Sequence, residues 1–127
     1  MSNFNFDFSF IKNGSPIVTL SSIGIAFNAG ARRVLKYPEE IMIGFDEEKN
    51  TIGVLEWDGD ENKNHYTFES RQKDNWVRVS MRDFMKYLSM RTGIDFLEKA
   101  IQFLPEYDEE NNILIIVVDK EHKKNKF

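Results

Sequence analysis

Polar and apolar residues alternate without a fault across the opening NFNFDFSF. Phe4, Phe6, Phe8 and Phe10 fall on one side, and Asn5, Asp7 and Ser9 fall on the other. Successive strand side chains point to opposite faces, so the pattern predicts a half-buried strand that commits four rings to a core. An aromatic ladder can also stack on unpaired bases, but no basic residue interleaves this one before Lys12, which favours the core. Lys12-Asn13-Gly14-Ser15 reads as a turn, because Asn-Gly accepts the positive φ of tight reversals. Two short β-rich runs follow, Pro16–Leu20 and Ile23–Phe27, broken at Ser21-Ser22. Gly24 marks a bulge or a close backbone approach.

Helical spacing takes over at Asn28, a good N-cap, ahead of Ala31, Val34 and Leu35 on one face. Pro38 cannot continue a helix, so this one is short. Ile41–Phe45 and Thr51–Trp57 then form a hairpin around the polar reversal DEEKN. After the polar loop 58–64, strands are expected near His65–Glu69 and Trp76–Val79. Ser80 and Asp83 resemble a capping box for a helix carrying Met81, Phe84, Met85 and Leu88, with Gly93 as its left-handed stop. Residues 95–104 fit either a helix or a strand, and a brief turn giving way to a strand near Ile101 is preferred. The unbroken apolar run Ile113–Val118 suggests a central strand buried on both faces.

The preference near Ile101 rests on an internal repeat. FDEEKNTIGVLEW at Phe45–Trp57 aligns with YDEENNILIIVVD at Tyr107–Asp119 at a constant offset of 62 residues, which carries Asp46 onto Asp108. Each hairpin is preceded by an amphipathic helix, and each helix by a β-rich strand. The expected organisation is one domain over 1–127, with repeat units at about 15–57 and 65–119, the loop 58–64 between them and a basic tail at 120–127. One such unit buries too little surface to stand alone, whereas a second copy covers its apolar face.

The segment IVTLSSIGIAFNAGARRVLKYPEEIMIGFDEEKNTIGVLEW, Ile17–Trp57, resembles the swapped-hairpin unit of AbrB-like transition-state regulators and MazE-type antitoxins. Gly24, Phe27-Asn28, Arg32-Arg33, Leu35 and the Ile41–Leu55 hairpin fall in that family's order. Two units in one chain would further resemble MraZ-type proteins. The resemblance covers about a third of the chain well and another third loosely. It implies an α+β, strand-rich fold in which two diverged strand–helix–hairpin units form a pseudo-dimeric swapped-hairpin-like barrel. It also implies DNA binding through basic residues near the helices: Arg32 and Arg33 in the first copy, with Arg78, Arg82 and Lys86 in comparable positions of the second. The chain departs from the family in having Asn28 where a proline is usual, and in the Phe-rich opening.

Charge changes this picture. The chain of 127 residues carries a net charge of −4. Nine acids and one base lie between Pro38 and Asn62, while six bases and two acids lie between Arg71 and Arg91. An acidic protein gains no general attraction to phosphate, so DNA would have to meet a local basic face. The rival expectation is an acidic protein-interaction module, an inhibitor or accessory factor, that engages a basic partner through Glu39, Glu40, Asp46, Glu47 and Glu48.

Other chemistry is poorly represented. The sequence contains no cysteine and only two histidines, His65 and His122, which argues against a thiol nucleophile and a transition-metal site. Phosphate-cradling glycine patterns and a nucleophile elbow are absent. Asp58-Gly-Asp60-Glu-Asn62 begins like a calcium loop, but Lys63 replaces the glycine and no glutamate closes it. The expectation is therefore a cytoplasmic monomer or homodimer that is not an enzyme, has no cofactor and does not enter a membrane.

Overall fold

The computed structural model describes residues 14–119. The expected Phe4–Phe10 strand, the first half of the turn at Lys12-Asn13 and the basic tail lie outside them. The chain runs β1 (Val18–Leu20), β2 (Gly24–Phe27), α1 (Ala29–Val34), β3 (Glu40–Asp46), β4 (Thr51–Glu56), β5 (Tyr66–Thr67), a 3-10 turn at Glu69–Arg71, β6 (Val77–Ser80), α2 (Arg82–Thr92), β7 (Ile101–Phe103), β8 (Glu106–Asp108) and β9 (Ile113–Val117). The fold is α+β and strand-rich. Its strands form two antiparallel sheets, ordered β6-β2-β1-β7 and β5-β3-β4-β9-β8.

The strands do not close into one barrel among the described residues, which corrects that expectation. The chain changes sheets at Leu104-Pro105: β7 pairs with β1 in the smaller sheet, and β8 pairs with β9 in the larger. Proline lacks the N–H that a continuing ladder needs, so one long strand becomes two short ones. Two further expectations are corrected. Ser80 does not cap α2, because it is held in β6 opposite Gly24, and Met81 takes the N-cap position with no side-chain bond. β9 is central but buries only one face fully, with Leu114, Ile116 and Val118 inside and Ile113, Ile115 and Val117 half-buried.

Local signals elsewhere act as their chemistry dictates. Asn28 Oδ1 accepts from the amides of Ala31 and Ile17, so one side chain caps α1 and ties it to the chain entering β1. Gly93 ends α2 at φ 73°. Gly24 is the close approach: a Cβ there would lie 2.0 Å from the Val79 carbonyl oxygen. Residues 95–100 form a turn that gives way to β7 at Ile101.

The inner faces of both sheets supply the core. Val18, Leu20, Ile25, Phe27, Val77, Val79 and Phe103 come from the smaller sheet, and Ile41, Ile52, Val54, Leu114 and Ile116 from the larger. Leu35 of the α1 cap and Met85 and Leu88 of α2 join them. Phe27 meets Phe68 edge-to-face at 5.1 Å.

The two hairpin tips are built alike. Asp46 Oδ1 accepts from the amides of Glu48 and Lys49, and Asp108 Oδ1 accepts from the amide of Asn111. Asn50 and Asn112, 62 positions apart, close the tips at φ 48° and 55°. Across the β4·β9 ladder Gly53 faces Ile115, which is again 62 positions away.

Candidate interaction surfaces

The arginine pair is split by its place on α1. Arg32 points inward and is 9% exposed. Its Nε and Nη2 donate to the two Glu69 carboxylate oxygens at 2.8 and 2.7 Å, and its Nη1 donates to the Asn75 carbonyl. The guanidinium also lies 5.6 Å from the Tyr37 ring centre. The Glu69 hydrogen bonds raise its pKa above the ordinary arginine value and outweigh the opposing effect of burial. Held by three of its five donors and facing inward, this guanidinium is poorly placed to reach DNA phosphates. Arg33 turns the other way, donating from Nη2 to the Gly14 carbonyl beside Glu109 and Glu110.

Arg78, Arg82 and Lys86 are exposed. Arg82 and Lys86 are one turn apart on α2, while Arg78 lies on the outer face of β6 opposite Ala26. None of the three makes a hydrogen bond or ion pair among the described residues. The second-copy bases thus stay available, whereas the first-copy pair is occupied.

The acidic candidates fall into two groups. Glu39 and Glu40 lie at the start of β3, and Asp46, Glu47 and Glu48 lie at its end, about 20 Å away by strand rise. Glu40 receives His65 Nδ1 at 2.8 Å, and the His65 ring stacks 3.8 Å from that of Trp57. Glu47 accepts from Tyr87 Oη on α2. In the neighbouring loop the Lys63 ammonium bonds Asp58 at 2.6 Å and lowers the pKa of that carboxyl.

Between the two acidic groups lies a surface that sequence reasoning missed. On the outer face of the larger sheet Met42 stands opposite Leu55, Gly44 opposite Gly53, and Gly53 opposite Ile115. Ile113 and Val117 flank Ile115 on the same face. These five apolar side chains are half-buried, and none belongs to the core cluster. The rings that α2 contributes, Phe84 and Tyr87, pack on Phe45 of the opposite face. Carboxylates border the apolar rows: Glu40 and Asp46 at the ends of β3, and Glu106 and Asp108 on β8 opposite Ile115 and Ile113. The signal was present in the run Ile113–Val118, whose alternate members Ile113, Ile115 and Val117 are half-buried and outside the core cluster.

Among the described residues no cluster of His, Asp and Glu has the geometry to hold a metal ion. No described helix is long and apolar enough to cross a membrane. No protein-family model, curated protein or solved structure matches the chain.

Proposed function

We propose that the chain is a protein-interaction module that docks through the outer face of its larger sheet onto a partner with an apolar centre and a basic rim. The observation that carries this reading is the set of half-buried apolar rows around Gly44, Gly53 and Ile115, bordered by Glu40, Asp46, Glu106 and Asp108. Stable interfaces have that anatomy, an apolar core within a polar rim. The acidic rim selects partners and speeds encounter, and the apolar centre supplies residence. This keeps the acidic-module expectation but moves its centre from the carboxylates to the side chains between them.

The scaffold is read as two diverged copies interlocked through their hairpins. Three pairings support it. β3 begins beside β5 as β7 begins beside β1, with Ile41 opposite Tyr66 and Phe103 opposite Val18. β2 and β6, the strands before each helix, pair with each other. The helix of each half leans on the other half's tip, α2 through Arg91 to Asn50 and α1 beside Glu109 and Asn112. This arrangement is what the resemblance to swapped-hairpin regulators implies.

DNA binding is the weaker reading. With Arg32 turned inward and Arg33 bonded to the Gly14 carbonyl, its basic face reduces to Arg78, Arg82 and Lys86, and three phosphate contacts carry little affinity at physiological salt.

The test uses a β-strand peptide of alternating leucine and lysine, its acidic counterpart with glutamate for lysine, and duplex DNA, each at low salt. Binding of the basic peptide that is lost in Ile115→Glu, with the fold intact by circular dichroism, is expected. Equal binding of both peptides, insensitivity to Ile115→Glu, or DNA binding that depends on Arg82 and Lys86 would overturn the reading.

A further inference from the structure

The apolar rows of the outer face end on Trp57. Its amide donates to the Glu40 carbonyl and extends the β3·β4 ladder by one bond past Glu56. Leu55 and Trp57 are two positions apart and share the outer face, beside Met42 and Glu40 on the neighbouring strand. The indole is half-buried, and another ring lies over it. The His65 imidazole stacks 3.8 Å away, with 13° between the two ring planes.

His65 reaches that place through the loop 58–64, which is tied mainly to itself. Trp57 Nε1 donates to the Asp60 carbonyl, Asp60 accepts from the Asn62 amide, and the Lys63 ammonium bonds the Asp58 carboxylate. The two nitrogens of His65 supply the other ties. Nδ1 lies 2.8 Å from Glu40 Oε1 on β3, and Nε2 lies 3.7 Å from Glu61 Oε2 in the loop. From β5 the ring is followed by Tyr66 and Thr67, which carry no charge near neutral pH.

The proton count of the ring decides how many of these ties hold. A neutral imidazole has one N–H, so donating from Nδ1 to Glu40 leaves a lone pair on Nε2 facing the Glu61 carboxylate. A protonated imidazole donates from both nitrogens and carries the positive charge that both carboxylates attract.

We propose that the His65 imidazole is a proton-operated lid on Trp57. Protonated, it bridges Glu40 and Glu61 and is held over the indole. Neutral, it loses the Glu61 tie and uncovers the ring more often. The His65 side chain keeps 27% exposure and that of Glu61 82%, so water screens the second tie. The effect is a few-fold change in lid population rather than an all-or-none switch. Uncovered, Trp57 adds an aromatic anchor at the end of the apolar rows, so docking is favoured at neutral pH over acid. That consequence rests on the docking reading, whereas the lid itself does not.

The chain has two tryptophans, so Trp76→Phe leaves Trp57 as the one emitter in the full-length protein. Acrylamide quenching of its fluorescence then reports the cover on the indole. Quenching should be roughly two- to fivefold stronger at about pH 8 than at about pH 5.5. Adding His65→Gln should give strong quenching at both pH values, and adding Glu61→Gln should shrink the difference, with the fold intact by circular dichroism. Equal quenching of the parent chain at both pH values, or a difference that either variant leaves unchanged, would overturn the lid. The leucine–lysine strand peptide should bind the parent chain a few-fold more tightly at the higher pH and the His65→Gln chain equally at both. Peptide binding that ignores pH while quenching follows it would overturn the coupling to docking. A peptide that binds at neither pH would sink the docking reading, and the quenching result would still decide the lid.

Discussion

Gly53 stands opposite Ile115 in the β4·β9 ladder, and the two residues occupy the same place in the two acidic-tipped hairpins. In an antiparallel pair related by a two-fold axis, only the residue on the axis faces its own counterpart. The flanking pairs agree: Ile52 faces Ile116 and Val54 faces Leu114, so each meets the counterpart of the other. At Gly53 an added Cβ would meet Ile113 Cγ2 at 3.5 Å, an ordinary van der Waals contact.

Gly53→Ala should therefore stabilise the protein by about 0.4–1 kcal/mol, through reduced freedom of the unfolded chain. Gly24→Ala should do the reverse. Its methyl would sit 2.0 Å from the Val79 carbonyl, and the backbone shift that follows costs roughly 1–3 kcal/mol or more. Urea unfolding of both variants checks the pair. Equal midpoints would contradict the strand geometry.

Arg32 gives a second prediction. Removing it as Arg32→Ala leaves Glu69 and the Asn75 carbonyl short of partners near the surface. The Glu69 side chain keeps 25% exposure, so water recovers part of the loss. Destabilisation of about 1–2 kcal/mol is expected, below the range for fully buried pairs. Arg32→Lys should recover little, because an ammonium cannot reproduce the two-pronged bond. A double-mutant cycle with Glu69→Gln measures the coupling directly, and additive effects would refute it.

Arg32 also shows why the sequence carried less of the site than of the fold. Asn28, Gly93, Pro38 and the alternating hairpin strands act locally, and each was legible from its own chemistry. The direction of a helix side chain depends on what lies beneath it, and the partner of Arg32 is 37 residues away at Glu69. The outer face escaped notice for a related reason. An apolar run such as Ile113–Val118 is the same whether both of its faces are fully buried or only one, and only the tertiary packing distinguishes the two. Pro105 was visible, but its effect, sending β7 and β8 to different sheets, depends on where β1 and β9 lie.

Acid should loosen the β8–β9 tip by a definite route. Asn111 donates side-chain and backbone hydrogen bonds to Asp108 and lowers the pKa of that carboxyl. A depressed carboxylate pKa contributes stability that is fully present above the unfolded value, roughly 3.9, and is lost as pH falls through the folded value. The Asn111 amide shift should therefore titrate with a midpoint below the ordinary aspartate range. An Asp108→Asn variant should flatten that titration, and an unchanged curve would rule out the cap as its source.

Docking on the outer face should separate into two kinetic parts. Glu106 lies on the rim, on edge strand β8, opposite Ile115 in the ladder. Neutralising it as Glu106→Gln removes long-range attraction to a basic partner while leaving the apolar contact intact. Association should slow and become less sensitive to salt, with dissociation nearly unchanged. Ile115 lies at the centre, so Ile115→Ala removes apolar contact area from the docked state. Dissociation should then quicken while the salt dependence of association persists. Stopped-flow measurements with the leucine–lysine strand peptide, at low and physiological salt, separate the two variants. If Glu106→Gln changed dissociation and Ile115→Ala changed association, the centre and the rim would have exchanged roles, and the peptide would be binding elsewhere on the protein.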